Sequence, residues 1–336
     1  MLEFLSSAVS VFLHPWSPGI AGILAAAAAA ALAFGADWTV ESSVAIADRL
    51  GISPRVVGLT FVAMGTSAPE FAVSVTAATQ GASDMAISNV IGSNIFNLGF
   101  ILGGVALLRP LETDATTVWR DGSVLIISSV AVWALFGIDF GVERSNGALL
   151  ALGLLGYLVL LYLSEAGNAA STRAVRQAAS EAAGEVRARW DWLRPVGKLF
   201  LGVVLIAASA ELLVEAASTI AEWFGVSEWV IGMTIVAAGT SLPEFTTSLL
   251  AAVRGHHGLS LGNMIGSDIF NVLGVLGLTA LIHPVTIRPE ASGSILALVG
   301  MVLIAVLFMR THWRIGRVEG ALLIALGIAR WVLDFT

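Results

Sequence analysis

Glu70 and Glu244 are the residues best placed to do chemistry in this chain. Each closes a Gly-Thr-Ser-x-Pro-Glu segment, at 65–70 and 239–244, and each segment interrupts an otherwise apolar stretch. An acid at bilayer depth is unfavourable by roughly 3 kcal/mol on insertion scales, so it needs a counter-charge or a function. On a helix, Thr66 and Glu70 share a face with Ser67 beside them, and Thr240, Ser241 and Glu244 repeat that arrangement. Downstream, Ser93 and Asn97 are again four apart, as are Ser267 and Asn271. Pro69 and Pro243 carry no N–H, which predicts unpaired backbone oxygens near Ala63–Thr66 and Ala237–Thr240. Carboxylates, hydroxyls, amides and carbonyls make an all-oxygen set. Such a set suits hard cations, and Ca²⁺ tolerates it with flexible geometry; Mg²⁺ and Mn²⁺ stay open as alternatives. Two carboxylates balance one divalent ion or two monovalent ones. The chain has no cysteine and no histidine near a span centre, which argues against zinc or copper.

The elements that hold these residues lie in a membrane. The chain is 57% hydrophobic and 12% charged, whereas soluble domains carry roughly 25% charged residues. Runs long enough to cross roughly 30 Å of hydrocarbon predict ten helices. They fall near 20–47, 54–79, 84–108, 120–138, 147–164, 197–223, 228–253, 259–282, 291–309 and 317–334. Residues 1–16 read as an interfacial lead-in, since they lack a basic n-region and a small-residue cleavage site. A polar stretch, 165–196, reads as an amphipathic, surface-lying connector between a first half, 1–164, and a second half, 197–336. With that connector cytoplasmic, fourteen Lys and Arg fall on its side, against Arg144, Arg288 and Arg330 on the other. The positive-inside bias then predicts a multi-pass cell (inner) membrane protein with both termini outside.

The chain also repeats itself. Shifted by 174 residues, 56–97 aligns with 230–271 and 22 of the 42 positions are identical. Five helices per half is an odd number, so the second half must run in the opposite sense. The fold class expected is therefore an all-α polytopic membrane protein, built as two inverted five-helix repeats. In secondary transporters of that kind the substrate site lies near the midplane where the halves meet. Packing alone would preserve small and apolar character; it would not preserve Glu, Asn, Ser and Thr.

The doubled Gly-Thr-Ser-x-Pro-Glu, each followed by Gly-Ser-Asn/Asp-Ile-Phe-Asn, resembles the alpha repeats of the cation/calcium exchanger superfamily, and most of all its prokaryotic sodium/calcium exchangers. The motifs cover about 85 residues, and the ten-helix layout extends the resemblance over nearly the whole chain. The resemblance implies Na⁺-driven Ca²⁺ antiport by alternating access, electrogenic if three Na⁺ replace one Ca²⁺. It assigns ion coordination to Glu70, Glu244, Thr66, Thr240, Ser67, Ser241, Ser93, Ser267, Asn97 and Asn271, with backbone oxygens of Ala63 and Ala237. Proton-coupled relatives carry Gly-Asn-Ala-Pro-Glu-like repeats, which this chain lacks. Potassium-dependent relatives carry an acid where Asn271 stands, so K⁺ independence is expected.

No cofactor is expected, since Na⁺ and Ca²⁺ are cargo; the partners are the lipid bilayer and inorganic cations, not nucleic acid. Asp268, facing Asn94 in the repeat, is either a third intramembrane acid at the cavity or a helix-face residue satisfied by a neighbour. Asp37, Glu41, Glu211 and Glu215 read as interfacial acids, with a role in ion entry as the alternative, and His256 and His257 as an exposed cytoplasmic turn rather than a pH sensor. Ca²⁺/H⁺ exchange and a cation channel are the rival transport readings. An enzyme is not expected, because no nucleophile and base set stands out.

Overall fold

Small polar residues followed by proline open the first helices of this protein, whose computed structural model describes residues 16–139, 141–182, 192–226, 235, 237–286 and 292–334. Ser17 caps α1 (Pro18–Leu50), its hydroxyl accepting from the Ile20 amide at 3.5 Å, and Pro18 has no N–H to leave unpaired. Ser53 and Pro54 open α2, where the proline again has no N–H to leave unpaired but the serine hydroxyl makes no cap bond. The α2 span consists of two pieces, Pro54–Thr66 and Ala68–Thr79, bent by 45°. The remaining helices are α3 (Ser83–Leu108), α4 (Thr117–Gly122 continuing as Ser123–Asp139), α5 (Arg144–Ala182), α6 (Leu193–Trp223), α7 (Ala237–Gly239 and Leu242–Val253), α8 (His257–Ile282), α9 (Ser292–Arg310) and α10 (Arg317–Asp334).

Seven of these are long and apolar enough to cross a membrane, and eight if the bent α2 is one span. The protein is a multi-pass membrane protein. The long apolar side chains of α1, α5 and α6 are widely exposed, among them Ile23, Leu152, Leu163 and Phe200, which is what lipid-facing helices present.

Two expectations change. First, α5 does not stop at Ser164. It runs on to Ala182, because the sequence after Ser164 is rich in Ala with Glu, Arg and Gln, strong helix formers that outweigh Gly167 and Asn168. Second, α2 and α7 are not merely kinked. Ser67 leaves the helical region (φ −83°, ψ 7°) and Ser241 does the same (φ −91°, ψ 5°), so a new helix starts just before each glutamate. Residues 1–15 and the first turns expected for the seventh helix lie outside the described residues.

The 174-residue spacing recurs in the backbone. Left-handed glycines close helices at 51 and 225 and again at 81 and 255, with φ of 68°, 79°, 80° and 81°. Two short antiparallel ribbons tie the halves together: β1 (Leu111–Glu112) with β4 (Arg314–Ile315), and β2 (Gly141–Val142) with β3 (Val285–Thr286). Since β1 precedes α4 and β2 follows it, the ribbons lie at opposite ends of that helix.

Two close approaches position the site. α1 and α6 pack where a Cβ on Gly35 would come within 2.9 Å of the Gly202 carbonyl, and one on Gly202 within 2.9 Å of the Gly35 carbonyl. α2 and α8 cross just as tightly, for a Cβ on Gly266 would lie 2.7 Å from Leu59 Cα. Small residues at such crossings let membrane helices touch backbone to backbone. The main apolar core then fills the space among α3, α4, α5, α8 and α9.

Polar contacts finish the ends. Arg55 donates to both oxygens of Asp114 (2.6 and 2.5 Å) and to the Thr117 hydroxyl (2.8 Å). Partial burial pushes the Asp114 carboxyl up, but the Thr117 amide and the Arg55 guanidinium outweigh it and hold the group below its ordinary value. Of the four outer acids, Asp37 is ion-paired with Arg254 and Glu41 with Lys198 (2.5 Å). His256 and His257 are half-buried, not exposed: they line a cavity of about 490 Å³ together with Arg55, Glu112 and Asp114.

Candidate cation site

The breaks at Ser67 and Ser241 put Glu70 and Glu244 into the first turn of the helices that follow, each with proline beside the start. The amides of a first turn have no intrahelical acceptor and carry the positive end of the helix dipole, so a carboxylate there is favoured. Both glutamates are fully buried.

Each is held by the opposite half. Ser67 on α2 donates to Glu244 Oε1 (3.0 Å), and Ser241 on α7 donates to Glu70 Oε1 (3.4 Å). Ser267 reaches Glu244 Oε1 at 3.5 Å. Its repeat partner Ser93 is buried but makes no such bond to Glu70. The Thr66 hydroxyl stands within 3.3–3.4 Å of the Ala63 carbonyl, Asn263 Oδ1 and Ser267 Oγ, and its single proton serves one acceptor at a time.

Behind the carboxylates stands a support that the motifs did not single out. Asn89 donates to the Glu70 carbonyl (3.1 Å) and Ser74 Oγ (2.9 Å); Asn263 donates to the Glu244 carbonyl (3.3 Å) and Ser248 Oγ (2.9 Å). The signal was present, because Asn89, Asn263, Ser74 and Ser248 are all among the identities of the 174-residue repeat. A third set links α3 to α8: Asn97 donates to Asp268 Oδ1 (3.0 Å), Asn94 to the Asp268 carbonyl (3.0 Å), and Asn271 to Asn94 Oδ1 (3.1 Å). Asp268 is therefore satisfied on one oxygen by a neighbour. Among the described residues no three His, Cys, Asp or Glu side chains come together to hold one metal.

What is left unpaired defines the chemistry. Glu70 Oε2, Glu244 Oε2, Asn97 Oδ1, Asn271 Oδ1 and Asp268 Oδ2 are buried and have no hydrogen-bond partner among the described residues. All five are acceptors when the acids are ionised, so none can satisfy another. A buried unmet acceptor is unfavourable by about 1–3 kcal/mol, more when charged. A hard cation satisfies several at once, and the residues fit one.

One expected ligand oxygen differs from expectation. The Ala63 carbonyl is not freed by Pro69, for the Ser67 amide donates to it at 3.0 Å. The break falls at Ser67, two residues before Pro69, and the lost bond is the one that Gly65 O would accept from residue 69. Ala237 opens the short helical turn Ala237–Gly239, matching Ala63 by position.

The family profile described as "Sodium/calcium exchanger protein" matches residues 20–163 and 195–329. The protein named CaxA of Alkalimonas amylolytica is 39% identical over 309 residues, 91% of this chain and 95% of that one. Sodium/calcium exchanger MaX1 of Methanosarcina acetivorans is 33% identical over 331 residues, covering 90% and 94%. A solved structure of the sodium–calcium exchanger NCX_Mj, soaked with Na⁺ and without Ca²⁺, superposes with a TM-score of 0.78 at 31% identity, covering 93% of this chain and 98% of that one.

Proposed function

The chain belongs to the sodium/calcium exchanger family of cation transporters, and from that premise we propose that it is a Na⁺-driven Ca²⁺ antiporter working by alternating access. The observation that carries this reading is the pair of cross-held glutamates, each leaving one buried carboxylate oxygen unpaired beside neutral amide and hydroxyl oxygens. Ca²⁺ bridges Glu70 and Glu244, and Thr66, Thr240, Asn97 and Asn271 complete its shell. Na⁺ ions occupy overlapping positions that reach Ser67, Ser241, Ser93 and Ser267. The carbonyls of Ala63 and Ala237 border the same space.

The fold of this proposal is ten spans in two inverted repeats of five, 1–164 and 197–336, joined by the cytoplasmic segment 165–196, with both termini outside the cell membrane. The glycine pairs at 51/225 and 81/255 and the two exchanged ribbons support it. α1 and α6, packed on each other at Gly35 and Gly202, slide as a unit to open each side in turn. Asn271 is neutral, so the carboxylates that bridge the ion are those of Glu70 and Glu244, with Asp268 set behind Asn97, and K⁺ is not required. Three Na⁺ against one Ca²⁺ leaves one charge to move, worth about 2.3 kcal/mol per 100 mV.

Na⁺-loaded proteoliposomes test the reading. Radiolabelled Ca²⁺ uptake is expected to require the outward Na⁺ gradient, to ignore K⁺, and to quicken with an inside-positive potential. Uptake that follows a pH gradient and ignores Na⁺ overturns it in favour of proton coupling. Uptake with no counter-ion at all points to a channel. The chain has no cysteine, so single introduced cysteines at 175 and 332 report the orientation by labelling from either side.

A further inference from the structure

Asp268 breaks the two-fold pattern of the site, since the repeat places Asn94 at the same position. It is 1% exposed and lies beside the ring of amides between α3 and α8. Its two acceptor groups face different ways. The side-chain Oδ1 takes a hydrogen from Asn97 Nδ2 (3.0 Å), and the backbone carbonyl takes one from Asn94 Nδ2 (3.0 Å). With its nitrogen engaged, Asn94 turns Oδ1 to Asn271 Nδ2 (3.1 Å). The outcome is the same at both ends: Asn97 and Asn271 have their nitrogens occupied and their Oδ1 atoms buried and unpaired.

An asparagine amide can turn over, exchanging an acceptor for a donor at nearly the same position. Turned over, Asn97 would present N–H to a cation and repel it. An ionised carboxylate only accepts, so Asp268 admits one orientation of Asn97. A second amide at position 268 would accept either. We propose that Asp268 is a positioning residue: its carboxylate orients the amide of Asn97, while its backbone carbonyl holds Asn94 and through it Asn271, so that both amides present oxygen to the transported cation. This rests on the site reading above, in which those two oxygens coordinate the ion.

The repeat itself supplies the test. Ca²⁺ and Na⁺ binding are measured by calorimetry on the purified protein in nanodiscs, for the unaltered chain, D268N, N94D/D268N and E70Q. D268N is expected to raise the half-saturating Ca²⁺ about ten-fold, the lower end for loss of a residue that orients a metal ligand. N94D/D268N rebuilds the network in mirror image: the carboxylate, moved to position 94, accepts from Asn271, and the amide placed at position 268 donates to the backbone carbonyl of position 94. It is expected to return to within about three-fold of the unaltered protein. A cycle with N97A separates orientation from charge alone. D268N made on top of N97A is expected to change Ca²⁺ binding by less than about two-fold if the acid acts through that amide, whereas a remote charge keeps its full effect there.

D268N binding like the unaltered protein overturns the proposal, as does an N94D/D268N variant no better than D268N, or an undiminished effect of D268N on top of N97A. If D268N fails to fold, recovery of fold and binding in the double variant supports the proposal, and absence of binding there overturns it. E70Q guards the premise. E70Q that still binds Ca²⁺ normally sinks the site reading; E70Q that loses binding while D268N keeps it sinks only the positioning role.

Discussion

The first and second halves of the site are alike at the carboxylates and unlike just beyond them. Glu70 and Glu244 share burial, first-turn placement, a serine from the opposite half and an asparagine on the backbone carbonyl. Yet Glu244 Oε1 gathers hydroxyls from Ser67 and Ser267, while Glu70 Oε1 has that of Ser241. The acid at 268 faces an amide at 94. Further out the halves diverge more. Asp37 on α1 pairs with Arg254 at the end of α7, but the matching positions hold Glu211 and the neutral Gln80. Arg55 pairs with Asp114, where the second half has Trp229 and Arg288. Binding two carboxylates to one cation rewards symmetry; tuning its affinity and the two faces of the membrane does not.

If the carboxylates are equivalent, neutralising either one breaks exchange. Glu70→Gln and Glu244→Gln are each expected to lower Na⁺-dependent Ca²⁺ uptake by about 100-fold or more, with the protein still folded by size-exclusion chromatography. Near-normal uptake in one of them would place the cation on the other half alone.

The asparagines behind them sharpen the same point at smaller scale. Asn89→Ala and Asn263→Ala should each raise the half-saturating Ca²⁺ about ten-fold, because each removes the donor that fixes a glutamate backbone. Unequal effects would show that one half sets the geometry. The serines test the inequality instead. Ser267→Ala is expected to weaken Ca²⁺ binding by about five-fold, the worth of one hydroxyl bond of about 1 kcal/mol, and Ser93→Ala by much less.

The periphery gives the smallest effects. Arg254→Gln makes the two ends of the molecule alike, and a partly exposed ion pair is worth about 0.2–1 kcal/mol. The ratio of inward to outward exchange rates should therefore shift by less than about five-fold. For Asp114, a carboxyl held below its ordinary value contributes stability that is present above that value. The contribution disappears as pH falls through the lowered one. Melting curves taken from pH 5 down to 3 should show a small acid loss, below about 1 kcal/mol because the side chain is 58% exposed, that Asp114→Asn lacks.

The membrane class was legible because hydrocarbon length sets a simple composition rule, and the site was legible because its chemistry is written twice. Glu70, Thr66 and Ser67 were found from one helix face, and the repeat doubled them. The break after Ser67 was less visible. Pro69 removes one N–H, but whether a helix bends or restarts depends on which groups from other helices meet the freed ends. The run of α5 past Ser164 was missed for a different reason, since polarity was read as a connector where propensity still favoured helix.

By itself the sequence determined the membrane setting, the 174-residue repeat and the two acids that dominate the site. Helical period told which residues share a face. It could not tell which faces meet, and that was decided by the tight crossings at Gly35, Gly202 and Gly266. Only those crossings put Ser67 on Glu244, 177 residues away, instead of on Glu70 three residues away. They also brought Asp268 onto Asn97, settling a carboxylate whose role its own helix left open.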